Sequence, residues 1–207
     1  MRRLAALLFL LLSVPALAQE PFDYYVLSLS WSPTWCGTKA GRGDAEQCGG
    51  TRNYGFVVHG LWPQYAKGGY PSACAANPEP MPGKLVDSML PIMPSRKLIQ
   101  HEWKTHGTCD GTAAAEYFGK TSAAFDRLRI PKLFQNPVQP QTLAVEQVEK
   151  LFQAANPGLE PNAISVVCRG HHAAEVRVCL DKQLNYRPCA RDVRDRCKGE
   201  ALFPATR

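Results

Sequence analysis

The chain has 207 residues, a formal net charge of +6 and eight cysteines. That length suits a single globular domain with a substantial core. The charge is too mild to identify a polyanionic partner by itself, and no stretch approaches the roughly 20 apolar residues that a membrane span requires.

In chain order, Arg2 and Arg3, the apolar run from Leu4 to Leu12 and the small residues Ala16 and Ala18 have the anatomy of a secretory signal peptide. The expected division is a signal peptide over 1–18, cleaved after Ala18, and one domain over 19–207. No cysteine stands at the end of the apolar run to carry a lipid. All eight cysteines, Cys36, Cys48, Cys74, Cys109, Cys168, Cys179, Cys189 and Cys197, lie beyond it. An even number in an exported chain reads as a disulfide set, whereas the absence of a C-x-x-C pair argues against a zinc knot. The sequence also lacks an N-x-S/T sequon, which fits a bacterial protein of the periplasm or the culture medium.

"YYVLSLSW" (24–31) reads as a strand buried on both faces. A loop over 37–53 follows, then a second strand over 54–62, expected to turn at His59-Gly60. Residues 63–83 are rich in proline and glycine and read as loop. Helices are expected over 83–90, over 95–107 with Ser95 at its start and Gly107 at its end, over 113–130 ended by Pro131, and over 142–156. "AISVVC" (163–168) and "EVRVCL" (175–180) read as strands of one hairpin, with His171 and His172 exposed in its turn. Neither repeats, heptads nor a dimerisation segment is recognisable. The expectation is a monomeric α+β domain, a central antiparallel sheet flanked by helices and stabilised by disulfides.

"HEWKTHGTC" (101–109) invites a zinc-protease reading, which requires H-E-x-x-H so that both imidazoles share a helix face. Here the histidines are five apart, about 140° around a helix, and do not converge on one tetrahedral ion. The pairs that converge are Glu102 with His106 and His101 with Thr105. A carboxylate one turn from an imidazole can orient the ring and hold its pKa near a working pH. A third histidine, His59, ends an apolar strand, with Trp62 three residues later.

"FVVHGLWPQ" (56–64) and "QHEWKTHGTC" (100–109) closely resemble the two active-site segments of the ribonuclease T2 family, secreted, metal-independent acid ribonucleases. "FDYYVLSLSW" is similar to that family's opening strand, and "EVRVCLDKQLNYRPC" to its last strands. The resemblance implies an endoribonuclease without cofactor. It would cleave single-stranded RNA at little base preference through a 2′,3′-cyclic phosphate, which is then hydrolysed to a 3′-phosphate. DNA, lacking the 2′-hydroxyl, would be inert. By position, His106 would be the general base, His59 the general acid, His101 a phosphate ligand and Glu102 a support as charge builds in the transition state. Trp62 would stack on a base, and Gln64, Tyr70 and Thr105 would line the substrate site; Tyr65 is a further candidate.

Two positions depart from the family's pattern. Thr105 stands where lysine usually precedes the last histidine, and Lys104 lies about 200° from His106 on a helix. The charge of the phosphorane would then fall to another cation, or to Thr105 with His101. Gln64 stands where aspartate is usual, which leaves base preference open. Thr105 is also the one feature favouring a different reading, a weakly active or inactive relative that binds RNA. The cysteine pairing implied by the resemblance is Cys36–Cys48, Cys74–Cys109, Cys168–Cys197 and Cys179–Cys189.

Overall fold

A computed structural model of the chain describes residues 21–50 and 52–206. The expected signal peptide (1–18) and Gln19 lie outside the described residues. The elements run β1 (Tyr24–Trp31), α1 (Ser32–Cys36), α2 (Ala45–Cys48), β2 (Phe56–Gln64), α3 (Gly83–Met89), α4 (Arg96–Thr105), α5 (Ala114–Arg127), β3 (Gln141–Ala144), α6 (Val145–Ala155), β4 (Ile164–Arg169), β5 (His172–Leu180) and β6 (Glu200–Phe203). This is an α+β fold around a six-stranded sheet. Strands β2, β1, β5 and β4 pair antiparallel in that order, and the antiparallel pair β3–β6 joins through a single parallel contact, His172 with Leu202.

Strand pleating sends alternate side chains to opposite faces, and β1 shows how the sheet divides its labour. Tyr25, Leu27, Leu29 and Trp31 enter the main core with Val58, Leu61, Val176 and Val178. Tyr24 and Val26 point the other way, into a smaller cluster with Cys179 that Trp62 packs against. The main core is aromatic: Trp31 contacts Phe56, Phe134 and Phe203 edge to face, the geometry that aromatic quadrupoles favour. Helix α4 adds Ile99 and Trp103 to it, and α5 adds Tyr117 and Phe118.

Of the two histidines expected in the hairpin turn, His172 instead begins β5 and is half-buried, and three further expectations need correction. The chain does not turn at His59-Gly60: β2 continues to Gln64. There Ser28 pairs with Gly60 and Leu29 with Val58, so His59 is the extra residue of a β-bulge. Second, the helix expected over 142–156 begins only at Val145, because Gln141–Ala144 pairs with Glu200–Phe203. That partner strand has no strong pattern of its own in the sequence. Third, α4 stops at Thr105, with His106 as its C-cap, and a 3-10 turn over Gly107–Cys109 follows. Gly107 is required there, since a β-carbon would collide with the Trp103 and Tyr117 rings.

The eight cysteines form four disulfides, Cys36–Cys48, Cys74–Cys109, Cys168–Cys197 and Cys179–Cys189, the arrangement that the resemblance implies. None of the described helices is long and apolar enough to cross a membrane.

Candidate active site

A cavity of about 480 Å³ opens where β2, the end of α4 and the second face of β5 meet. Each element presents its residues for a local reason. Bulges re-aim side chains and often sit beside active sites; the one at His59 displaces that ring from the regular pleat. Gly60 follows because a β-carbon there would strike the Glu102 carboxylate and the Trp62 indole nitrogen. Ser95 caps the start of α4, its hydroxyl accepting from the Leu98 amide at 3.4 Å. From that start, Ile99 and Trp103 face the core, while His101, Thr105 and His106 reach the cavity.

Glu102, only 1% exposed, joins the two motifs: it accepts a 2.7 Å hydrogen bond from Trp62 Nε1, and its other oxygen lies 3.7 Å from His59 Nε2. The His59 and His106 rings flank the Trp62 ring, with centroids 5.1 and 5.3 Å from it. The convergence of Glu102 on His106 expected from helical spacing does not occur. The His106 amide donates to the Glu102 carbonyl as the last helical bond, and the Glu102 side chain turns to Trp62 and His59. His106 Nδ1 is buried without a hydrogen-bond partner among the described residues.

The carboxylate that does orient a histidine comes from elsewhere. Glu175 Oε1 lies 2.8 Å from His59 Nδ1, and Glu175 Oε2 accepts from Arg177, at 2.8 Å from Nε and 2.6 Å from Nη2. The Arg177 guanidinium sits over the Trp62 ring, 5.1 Å from its centre. Sequence reasoning missed both residues. The signal was present as the alternation of Glu175, Arg177 and Cys179 with Val176, Val178 and Leu180, which places the three on one face. That this face meets His59 and Trp62 follows only from the register, Ser30 with Glu175 and Ser28 with Arg177 on one side of β1, and Ser28 with Gly60 on the other.

The remaining candidates divide. Tyr70, 56% exposed, sits 5.7 Å from the His106 ring. Its loop is fixed to the end of α4 by Cys74–Cys109 and by the Ala73 amide donating to the Thr105 carbonyl. Thr105 Oγ1 is 3.5 Å from His101 Nδ1, the expected i, i+4 pair. Gln64 lines the cavity but is buried, with its amide nitrogen donating to the Pro63 carbonyl. Tyr65 and Lys104 are not among the lining residues, whereas Val26, Asp192, Val193 and Arg196, which the sequence did not flag, are.

Electrostatically the two flanking histidines are opposites. For His59, burial works against the charged ring, but the Glu175 hydrogen bond and the nearby Glu102 and Glu175 charges outweigh it, so its pKa is raised. Burial, followed by the positive neighbours His59 and His101, lowers His106 to about 4. Burial raises Glu102 to about 7 against the pull of His59 and the Trp62 hydrogen bond. For Glu175, burial raises the pKa, but His59 and Arg177 prevail and hold it at about 2. Near pH 5–6 these shifts favour a neutral His106 and a protonated His59 paired with an ionised Glu175, while burial inclines Glu102 towards its protonated form.

Residues 22–189 match the model of the ribonuclease T2 family. The chain belongs to that family. It is 34% identical over 183 residues to a probable ribonuclease of Haemophilus influenzae, covering 83% of this chain and 62% of the relative. Over 96 residues it is 45% identical to a ribonuclease of Aeromonas hydrophila, covering 46% of this chain and 41% of the relative. The matches thus span less than two thirds of either relative's length. The fold is similar to that of an RNase-related protein from Calystegia sepium, with a TM-score of 0.72 at 24% identity, over 91% of this chain and 100% of the other.

Proposed function

We propose that the chain is an exported, metal-independent endoribonuclease that cleaves single-stranded RNA by transphosphorylation. One observation carries the reading: two histidines of opposite protonation preference flank one indole in one cavity. The nucleophile belongs to the substrate, so the protein needs a base, an acid and a site for the phosphorane charge. Neutral His106 takes the proton of the 2′-hydroxyl as O2′ bonds to the adjacent phosphorus. The bond from phosphorus to O5′ breaks, and protonated His59 delivers its proton to that oxygen. This leaves a 2′,3′-cyclic phosphate, which water, with the proton roles reversed, opens to a 3′-phosphate. Each proton transfer is worth about 10²–10⁴-fold.

Glu102 supports this step as a neutral acid at acidic pH, because a protonated carboxyl can donate to a non-bridging oxygen as charge builds there. His101, on the rim beside Thr105, binds phosphate. Trp62 and Tyr70 form walls on which a base can stack, a contact worth about 1–3 kcal/mol and tolerant of base identity. Gln64 offers no buried carboxylate to a base's exocyclic amine, in keeping with weak base preference. DNA lacks the attacking hydroxyl and stays intact. Four disulfides accord with an oxidising compartment, and the leader expected over 1–18 supplies the route there.

The test is to incubate the purified mature chain at pH 5–6, in excess EDTA, with end-labelled single-stranded RNA and its DNA counterpart, and to weigh the products. The expected result is RNA cut to 2′,3′-cyclic phosphate ends with DNA intact. Uncut RNA across pH 4 to 8, from folded and oxidised protein, overturns the reading in favour of a binding protein.

A further inference from the structure

In the proposed reaction the phosphate lies between His59 and His106, yet α4 offers it no fixed cation, only Thr105, the imidazole of His101 and the carboxyl of Glu102. A pentacoordinate phosphorane carries more negative charge than the diester from which it forms, so a site without a fixed cation is electrostatically incomplete. Two guanidiniums line the cavity, Arg177 and the exposed Arg196, and of the two it is Arg177 that a half-buried carboxylate, Glu175, holds among the described residues. Arg177 lies over Trp62, the ring that both histidines flank, and lines the same cavity. Its side chain is 20% exposed, sheltered enough for its charge to act at reduced screening and open enough to meet a ligand.

Glu175 fixes that charge in place. Its Oε2 takes the Nε and Nη2 side of the fork, and Nη1 has no acceptor among the described residues. A guanidinium anchored on one side and free on the other is preorganised for a phosphate oxygen. Glu175 on its own strand pairs with it and Trp62 lies under it, and the titratable and charged groups that share the cavity with it are His59 on β2, His101, Glu102 and His106 at the end of α4, and Asp192 and Arg196 after β5.

We propose that Arg177 is the phosphate-binding cation of this site, held by Glu175 as its positioning residue and taking the role that Thr105 leaves vacant. The cation thus comes from a strand face rather than from the catalytic helix. The inference rests on the ribonuclease reading above, and it deepens that reading by assigning a further catalytic residue.

The experiment compares the parent, Arg177→Gln, Arg177→Lys and a double variant that combines Thr105→Lys with Arg177→Gln. The substrate is the ribodinucleoside phosphate ApA, and the uncleavable 2′-deoxy analogue dApdA reports binding by calorimetry. Arg177→Gln is expected to lower kcat/KM about 10²-fold, the scale for losing one preorganised donor to a developing charge, with most of the loss in kcat. Affinity for the analogue should weaken by roughly tenfold. Arg177→Lys, which keeps Glu175 paired, should lie between, since an amine restores charge but not the fork. Adding Thr105→Lys in the Arg177→Gln background should recover at least about tenfold, a gain that repair of folding alone would not produce. A parent active on ApA, with kcat/KM and analogue affinity within about twofold in both single variants, overturns the inference and leaves the ribonuclease reading standing. An inactive parent overturns both. If Arg177→Gln does not fold, Arg177→Lys decides by the same criterion.

Discussion

The two histidines that flank Trp62 are close in space and contrary in environment. His59 sits on a strand bulge, 31% exposed, with Glu175 on one ring nitrogen and Glu102 near the other. His106 caps a helix, is 8% exposed and has a buried nitrogen with no partner among the described residues. The first surrounding favours imidazolium, the second neutral imidazole. In the proposed mechanism one residue type can thus serve as acid and base, because desolvation rules one position and carboxylates rule the other.

Removing either member tests that contrast most severely. His59→Gln and His106→Gln should each reduce kcat/KM on RNA by about 10²–10⁴-fold. A loss below about tenfold for either would remove that residue from the reaction. The loss should depend on the substrate for His59 alone. A substrate with a good leaving group, such as a nucleoside 3′-aryl phosphate, needs little help from a general acid and should largely restore His59→Gln but not His106→Gln.

The arrangement around Gly60 is the next point at which to break the comparison. Gly60→Ala forces Glu102 and Trp62 apart, and with them the contact that links the two histidine environments. Overpacking of this kind costs about 1–3 kcal/mol, readable as a lowered Tm, with activity falling along with it. A variant with parent Tm and activity would show that the close approach is not needed.

The pH profile sharpens the contrast without removing a catalytic group. The proposed mechanism requires His106 without its proton and His59 with it. The rate should rise as pH passes about 4 and fall above the ordinary histidine range, because His59 is raised. Glu175→Gln deletes the hydrogen-bonded carboxylate that raises His59, so its pKa falls and the basic limb moves to lower pH. The limb at about 4 should stay in place, since Glu175 is not among the causes acting on His106. Movement of both limbs together would contradict the separate environments.

A smaller effect concerns stability. His106 has a folded pKa of about 4, below its ordinary 6.5. Its contribution is therefore present above pH 6.5 and is lost as pH falls towards 4, where the buried ring must charge. The size is on the order of 1–3 kcal/mol. Denaturant melts of parent and His106→Gln at pH 7 and pH 4 should show a smaller acid loss in the variant. Equal losses would show that the ring is better solvated than its burial suggests.

Much of the site was legible because family motifs are short and local. His59, Trp62, His101, Glu102, Thr105 and His106 fall within two segments, and all line one cavity. Ser95 as the start of α4 follows from capping chemistry alone. The misreadings share a cause: each depends on a partner distant in sequence. His59-Gly60 resembles a turn until β1 supplies the register that makes it a bulge. Gln141–Ala144 continues a helical pattern until Glu200–Phe203 pairs with it. Glu102 and His106 are one helical turn apart and should meet, but His106 falls at the cap and Trp62 competes for the carboxylate.

The sequence alone thus determined the fold class, the disulfide partners through family likeness, and the residue types from which an acid–base site could be made, because these depend on composition, periodicity and contiguous motifs. Tertiary structure decided which carboxylate serves which histidine, which histidine is desolvated, and that Glu175 and Arg177, more than a hundred residues beyond His59, stand beside it. Those outcomes follow from strand register and burial, and both are set by the whole chain packing at once.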